Sequence, residues 1–153
     1  MSATTIIVND ETPRRQYTAS AGQTVFDFPF PFFADGDLEV YLTPNGQQAN
    51  DTNDIQTIVT DYTVSGTNTQ SGGQITLTSG ATAGDIVTIL RIVDIDRTAD
   101  YQAAGDLLAE TLNAEQDTEI MISQQLREEQ ERSIRSQKSD VTVDMTLPSA
   151  YRS

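Results

Sequence analysis

From Tyr17 to Val93 the apolar residues recur at every second position in short runs, whereas after Asp106 they recur at steps of three and four. The first period belongs to extended strands and the second to a helix. Phe26, Phe28, Phe30 and Phe32 are spaced by two, with Pro29 and Pro31 between the last three rings. Proline cannot donate to a ladder, so this segment is predicted at a sheet edge, or leaving the sheet while its rings cover a core. Further strands are predicted at Leu38–Leu42, Tyr62–Ser65, Gln74–Thr78 and Ile86–Val93. The last is apolar almost without interruption, the pattern of a strand covered on both faces. Turns fall at Pro44-Asn45-Gly46, Gly66–Gly73 and Gly80–Gly84, and Gly46–Asp54 reads as a polar loop. Short strands separated by turns argue for a mainly β fold, an antiparallel β-sandwich over residues 16–100.

Beyond residue 100 the chain has no proline before Pro148 and no glycine after Gly105, which predicts one long C-terminal α-helix within 101–140, from Asp106 to Asp140. At 1.5 Å per residue such a helix is about 50 Å long, too long to bury itself against a domain of this size. It therefore calls for partners. Leu108, Leu112, Glu115, Glu119, Ile122 and Leu126 line one seam in which apolar and polar layers alternate, as in a bundle that trades stability for register. The row Ile120, Arg127, Ile134, Val141 fits no better. Acidic residues lead and basic residues close the helix, matching its dipole, and Glu128–Arg132 and Glu131–Arg135 are spaced for ion pairs.

Both ends carry short β-prone segments. Ile6, Ile7 and Val8 are separated from the rest by the charged stretch Asn9–Arg15, so residues 1–15 read either as a frayed terminus or as an extended arm able to add a strand to a neighbouring sheet edge. Val141, Val143, Met145 and Leu147 alternate with polar residues until Pro148, making 141–153 a short strand that caps the assembly between chains or docks something else.

Charge and composition narrow the chemistry. Nine basic against twenty-three acidic side chains give a formal charge of −14, which repels nucleic acid and anionic membranes. Cysteine and histidine are both absent. That removes disulfides, Cys/His and Ser/His nucleophilic dyads, and thiolate or imidazole metal sites. Neither a basic leader nor a membrane-spanning run is found, so a soluble, unprocessed chain is expected. Asp35-Gly36-Asp37-Leu38-Glu39 resembles a fragment of a calcium loop but lacks the later ligands, and reads as a turn before a strand. Asp94 and Asp96 form a possible carboxylate pair, but Arg91 and Arg97 flank them, the arrangement of a salt-bridged strand end. Lys138, the only lysine, lies at a solvated helix end. The chain is therefore expected not to be an enzyme and to need no cofactor or metal.

Several stretches together carry a resemblance. They are Tyr17-Thr18-Ala19, Gly22-Gln23-Thr24-Val25-Phe26-Asp27-Phe28-Pro29-Phe30-Pro31-Phe32 and Leu38-Glu39-Val40-Tyr41, then Tyr62-Thr63-Val64, Gly73-Gln74-Ile75-Thr76-Leu77 and Gly84-Asp85-Ile86-Val87-Thr88-Ile89-Leu90-Arg91. Asp96-Arg97-Thr98-Ala99-Asp100-Tyr101, Leu112-Asn113, Asp117 and Gln124-Gln125-Leu126 complete the series. In order and spacing this text, covering residues 15–138, resembles the N-terminal attachment domain of T-seven-type (podovirus) phage tail fibres. The resemblance implies a homotrimeric virion protein, assembled in the host cytoplasm, whose β-domains dock on tail tube, nozzle or adaptor proteins. It implies a trimeric coiled-coil-like stalk leading to a receptor-binding part. Shaft repeats and a distal domain have no counterpart here. Two readings stay open: the N-terminal portion of a longer fibre, or a short adaptor that passes to a separate receptor-binding fibre or tailspike through residues 141–153. The alternative from another class is a glycan-binding β-sandwich with Phe or Tyr rings stacked on sugars.

Overall fold

The computed structural model describes residues 7–95, 105 and 109–133. The chain is mainly β, with two antiparallel three-stranded sheets and one long C-terminal helix. The first sheet holds β1 (Arg14–Thr18), β6 (Ile86–Arg91) and β3 (Leu38–Thr43), in that order across the sheet. The second holds β2 (Gln23–Phe28), β5 (Gly73–Ala81) and β4 (Tyr62–Ser65). The helices are a single turn, α1 (Asp51–Asp54), and the long α2 (Ala109–Arg132).

Both sheets contribute to one hydrophobic cluster: Val40, Val87 and Ile89 from the first, Phe26, Phe28, Tyr62, Ile75 and Leu77 from the second. The uninterrupted apolar run of β6 has the predicted cause. As the central strand it buries Val87 and Ile89 in the core, while Thr88 and Leu90, on its other face, are buried too. β2 lies at an edge, ends at Phe28, and Pro29 begins the departure from the sheet. Phe30 and Phe32 nevertheless stay fully buried, and Phe28 stacks on Phe30 with 4.8 Å between centroids. Each ring withdrawn from water contributes about 1.5–3 kcal/mol. The four phenylalanines form part of the core, leaving none of the stripe open for stacking on a sugar. Gly72 secures this corner: it has a φ of 86°, and a Cβ there would lie 2.0 Å from the Phe28 carbonyl oxygen.

Three local features depart from the expected elements. The arm ends before Arg14, because Arg14 and Arg15 pair with Leu90 and Ile89 as the first rungs of β1, and the Arg91 amide donates to the Pro13 carbonyl. β5 continues past Thr78 to Ala81, with a register shift opposite Gln23 and Val25 that admits the extra residues. Within the expected loop Gly46–Asp54, Asn50 caps α1 by accepting from the Thr52 and Asn53 amides. The buried Asp54 carboxylate accepts from the Thr43 hydroxyl at 2.6 Å and from the Asn50 amide at 2.9 Å, tying that turn to β3. Asn50→Ala is expected to cost about 1 kcal/mol in urea denaturation, the loss of a side-chain cap. The Asp35–Asp37 turn is a short 3-10 helix, closed by Asp37 accepting from the Phe33 and Ala34 amides, as a turn before β3 requires.

Candidate functional site

The alternation that sends Val87 and Ile89 inward sends Arg91 inward as well. An arginine at that parity has to find acceptors inside the protein, because an unpaired buried charge is far costlier than a paired one. Arg91 is 1% exposed. Its Nη1 donates to the Pro31 carbonyl at 2.9 Å, its Nη2 donates to Gln124 Oε1 at 2.6 Å, and its guanidinium lies 5.9 Å from the centroid of the Phe30 ring. Among the described residues its Nε has no hydrogen-bond partner. Burial pulls its pKa down to about 10, so it remains a cation near neutrality. The expected ion pair with Asp94 is not formed: Asp94 is exposed, and Arg91 turns instead toward α2. Asp96 and Arg97 lie outside the described residues.

Gln124 belongs to a buried stripe on α2 comprising Met121, Gln124, Gln125 and Glu128. Steps of three and four place these residues on one side of the helix. Gln125 Oε1 accepts from the Val93 amide at 2.8 Å, just past the end of β6. Glu128 accepts from Arg132 at 2.7 and 2.8 Å, the expected i,i+4 pair, and its carboxylate is also 3.6 Å from Arg14 Nε. Both functions of the Gln124 amide are used, since its Nε2 donates to the carbonyl of Asn9. One turn on, Arg127 pairs with Asp10. The arm, the end of β6 and the middle of α2 thus meet at a junction made almost wholly of polar side chains. The exposed Arg127–Asp10 pair contributes little. The desolvated bonds at Arg91 and Gln124 carry more, because one partner is charged.

The helix is therefore docked along one face, although its length and polarity suggested it could not be. Gln124, Gln125 and Glu128 carry no docking signal in the sequence, because polar side chains do not register in a hydrophobic pattern. One signal was available: an arginine at an inward parity in β6 implies buried acceptors elsewhere in the chain.

The expected seam lies elsewhere on α2. Leu112, Glu119 and Leu126 are exposed, Glu115 and Ile122 half-buried, and none belongs to the docked stripe. At about 100° per residue the seam and the stripe are centred roughly 150° apart around the helix. Leu108 lies outside the described residues, as do Ile6 and the whole segment Val141, Val143, Met145 and Leu147. Of the arm residues proposed for docking, Val8 is half-buried and Ile7 is 65% exposed, its backbone N–H and carbonyl both engaged by the Gln70 side-chain amide.

Beside the junction an open cleft of about 410 Å³ lies over the outer face of the first sheet, bounded by β1, β3, β6, the loop before α1, and Glu129 and Arg132 of α2. Tyr41 lines it, and its hydroxyl donates to Glu39 at 2.7 Å. Burial, that hydrogen bond and the nearby carboxylates push the Tyr41 phenol well above its usual range, and burial raises Tyr62 as well. Both should hold their protons at about pH 10, where unfolded tyrosines lose theirs, so the unfolded chain then binds fewer protons and stability falls as pH rises past that point. Alkaline titration followed by tyrosinate absorbance is expected to show Tyr41 and Tyr62 ionising late, together with unfolding. Among the described residues no group of three or more acidic, His or Cys side chains could hold a metal ion, and no helix is long and apolar enough to cross a membrane.

Compared with known proteins, the chain matches no family model and no curated relative.

Proposed function

We propose that this protein is a structural virion component: a phage tail fibre, or short adaptor fibre, that anchors to the tail and connects to a distal receptor-binding part. In this reading the two sheets form a sandwich that serves as the tail-attachment domain, and α2 builds a trimeric stalk. The observation that carries it is α2 itself, held to the β-domain by one face while, among the described residues, the far face keeps a heptad-spaced seam without a partner. Leu112 and Leu126 occupy that seam at exposures of 36% and 45%. A 3-4-3-4 spacing is what association between copies requires. The order and spacing of the tail-fibre-like stretches support the same reading. The glycan-binding alternative loses the phenylalanine stripe, whose four rings are all buried, and keeps, among the described tyrosines, only the half-buried Tyr17 and Tyr41.

Light scattering across a dilution series is expected to give three times the chain mass, and purified tails that lack the fibre are expected to retain the protein. A monomer at micromolar concentration would overturn the assembly, and failure to bind such tails would overturn the attachment.

A further inference from the structure

We infer that the copies associate around the α2 seam with every β-domain still docked on its own helix, so that the domains flank the bundle and each arm meets the neighbouring copy's domain. This rests on the trimer proposed above and adds its arrangement, which a stalk projecting from a separate head would not have.

α2 keeps its seam and its docked stripe on separate faces. With Leu112 as heptad position a, Glu115 is d, Glu119 a, Ile122 d and Leu126 a. Met121, Gln124, Gln125, Glu128 and Arg132 then fall at c, f, g, c and g. The docked positions lie away from a and d, so a bundle closing on the seam need not displace the β-domain. The two contacts also overlap along the helix axis: Leu126 of the seam stands level with Gln124, Gln125 and Glu128 of the junction. Any bundle that uses Leu126 therefore has a β-domain beside it.

Symmetry supplies the neighbour. A closed cyclic assembly makes the helices parallel, and in parallel bundles the e side of one helix faces the g side of the next. The b position borders e, and c borders g. On the b side of α2 stand Ile120, 44% exposed, and Arg127, which holds Asp10 of the arm, while Gln124 close by holds Asn9. On the g side stands Gln125, with Glu128 at the bordering c position, where the chain's own β-domain docks through the Val93 amide and Arg14. The flank carrying Ile120 and the arm thus faces the β-domain of the next copy. Ile120 belongs to neither the seam nor the stripe, and a neighbouring domain gives it the cover it lacks among the described residues.

The chain contains no cysteine, so introduced thiols report position cleanly. The full chain would be prepared as Val93→Cys with Gln125→Cys and closed with a short thiol crosslinker, locking the domain to its own helix at a place where the Val93 amide and the Gln125 side chain are 2.8 Å apart. The expected result is an oligomer of the same mass as the unlocked protein. If locking yields monomers while the unlocked protein remains a trimer, the arrangement is overturned and the trimer stands; an unlocked monomer overturns both. A second variant, Ile120→Glu, leaves the seam intact and is expected to raise the concentration for half-assembly about tenfold, the effect of a desolvated apolar contact between copies. Unchanged assembly in that variant removes the contact between arm flank and neighbouring domain.

Discussion

Arg91→Ala is expected to destabilise the protein by about 3 kcal/mol and to release α2 from the β-domain. The guanidinium satisfies two acceptors that have no water to turn to, the Pro31 carbonyl and Gln124 Oε1. Leaving a buried acceptor unpaired costs about 1–3 kcal/mol each, and deleting the side chain beneath Phe30 adds a cavity. Against this, the variant no longer keeps a desolvated cation, which trims the loss. Urea denaturation reads the stability, and hydrogen exchange at the Val93 amide reads the docking, because that amide is protected through Gln125 of the helix. Arg91→Lys keeps the charge but not the fork that reaches two acceptors at once, so it should fall between wild type and alanine. A change in stability below about 0.5 kcal/mol, the range of an ordinary surface substitution, would show that Arg91 does not join helix to domain.

The second large effect is on assembly. Replacing both Leu112 and Leu126 by aspartate is expected to raise the concentration for half-assembly more than a hundredfold. Removing a buried leucine costs about 2–5 kcal/mol, and about 1.4 kcal/mol is tenfold in an equilibrium constant. Aspartate also adds like charges to a chain already at −14. Glu119→Leu should act in the opposite direction, removing one of two adjacent acidic layers and extending the apolar part of the seam formed by Ile122 and Leu126 by one layer. Sedimentation equilibrium distinguishes the two. Because the docked stripe is untouched, neither variant should alter exchange at the Val93 amide. Assembly of the double aspartate variant at wild-type concentration would place the interface away from the seam.

These two experiments address what the sequence showed least and most clearly. The β-domain was legible because its physics is periodic. The strand spacing of the phenylalanines, the prolines that end β2 and the unbroken run of β6 each follow from what one residue does to its own backbone or its own face. The helical spacing of α2 was legible for the same reason, as a period along one element. The junction was not. Gln124, Gln125 and Glu128 have nothing periodic to distinguish them from the other glutamines and glutamates of α2, and their meaning depends on Arg91, thirty-three residues from Gln124 in the chain. The same holds for Asn9 and Asp10, which a charged linker hides until Gln124 and Arg127 are placed beside them.

Sequence by itself determined most of the strands and the long helix, the edge and central strands, the absence of thiol and imidazole side chains, and a three-and-four spacing of apolar residues along α2. It did so because backbone geometry and side-chain polarity act locally and repeat. Only the tertiary structure decided where Arg91 finds its acceptors, that α2 is docked through polar groups, and that the docked stripe and the seam lie on different sides of the helix. Those outcomes depend on which polar groups are removed from water together, and hydrogen bonding in a desolvated site is a property of the assembled interior.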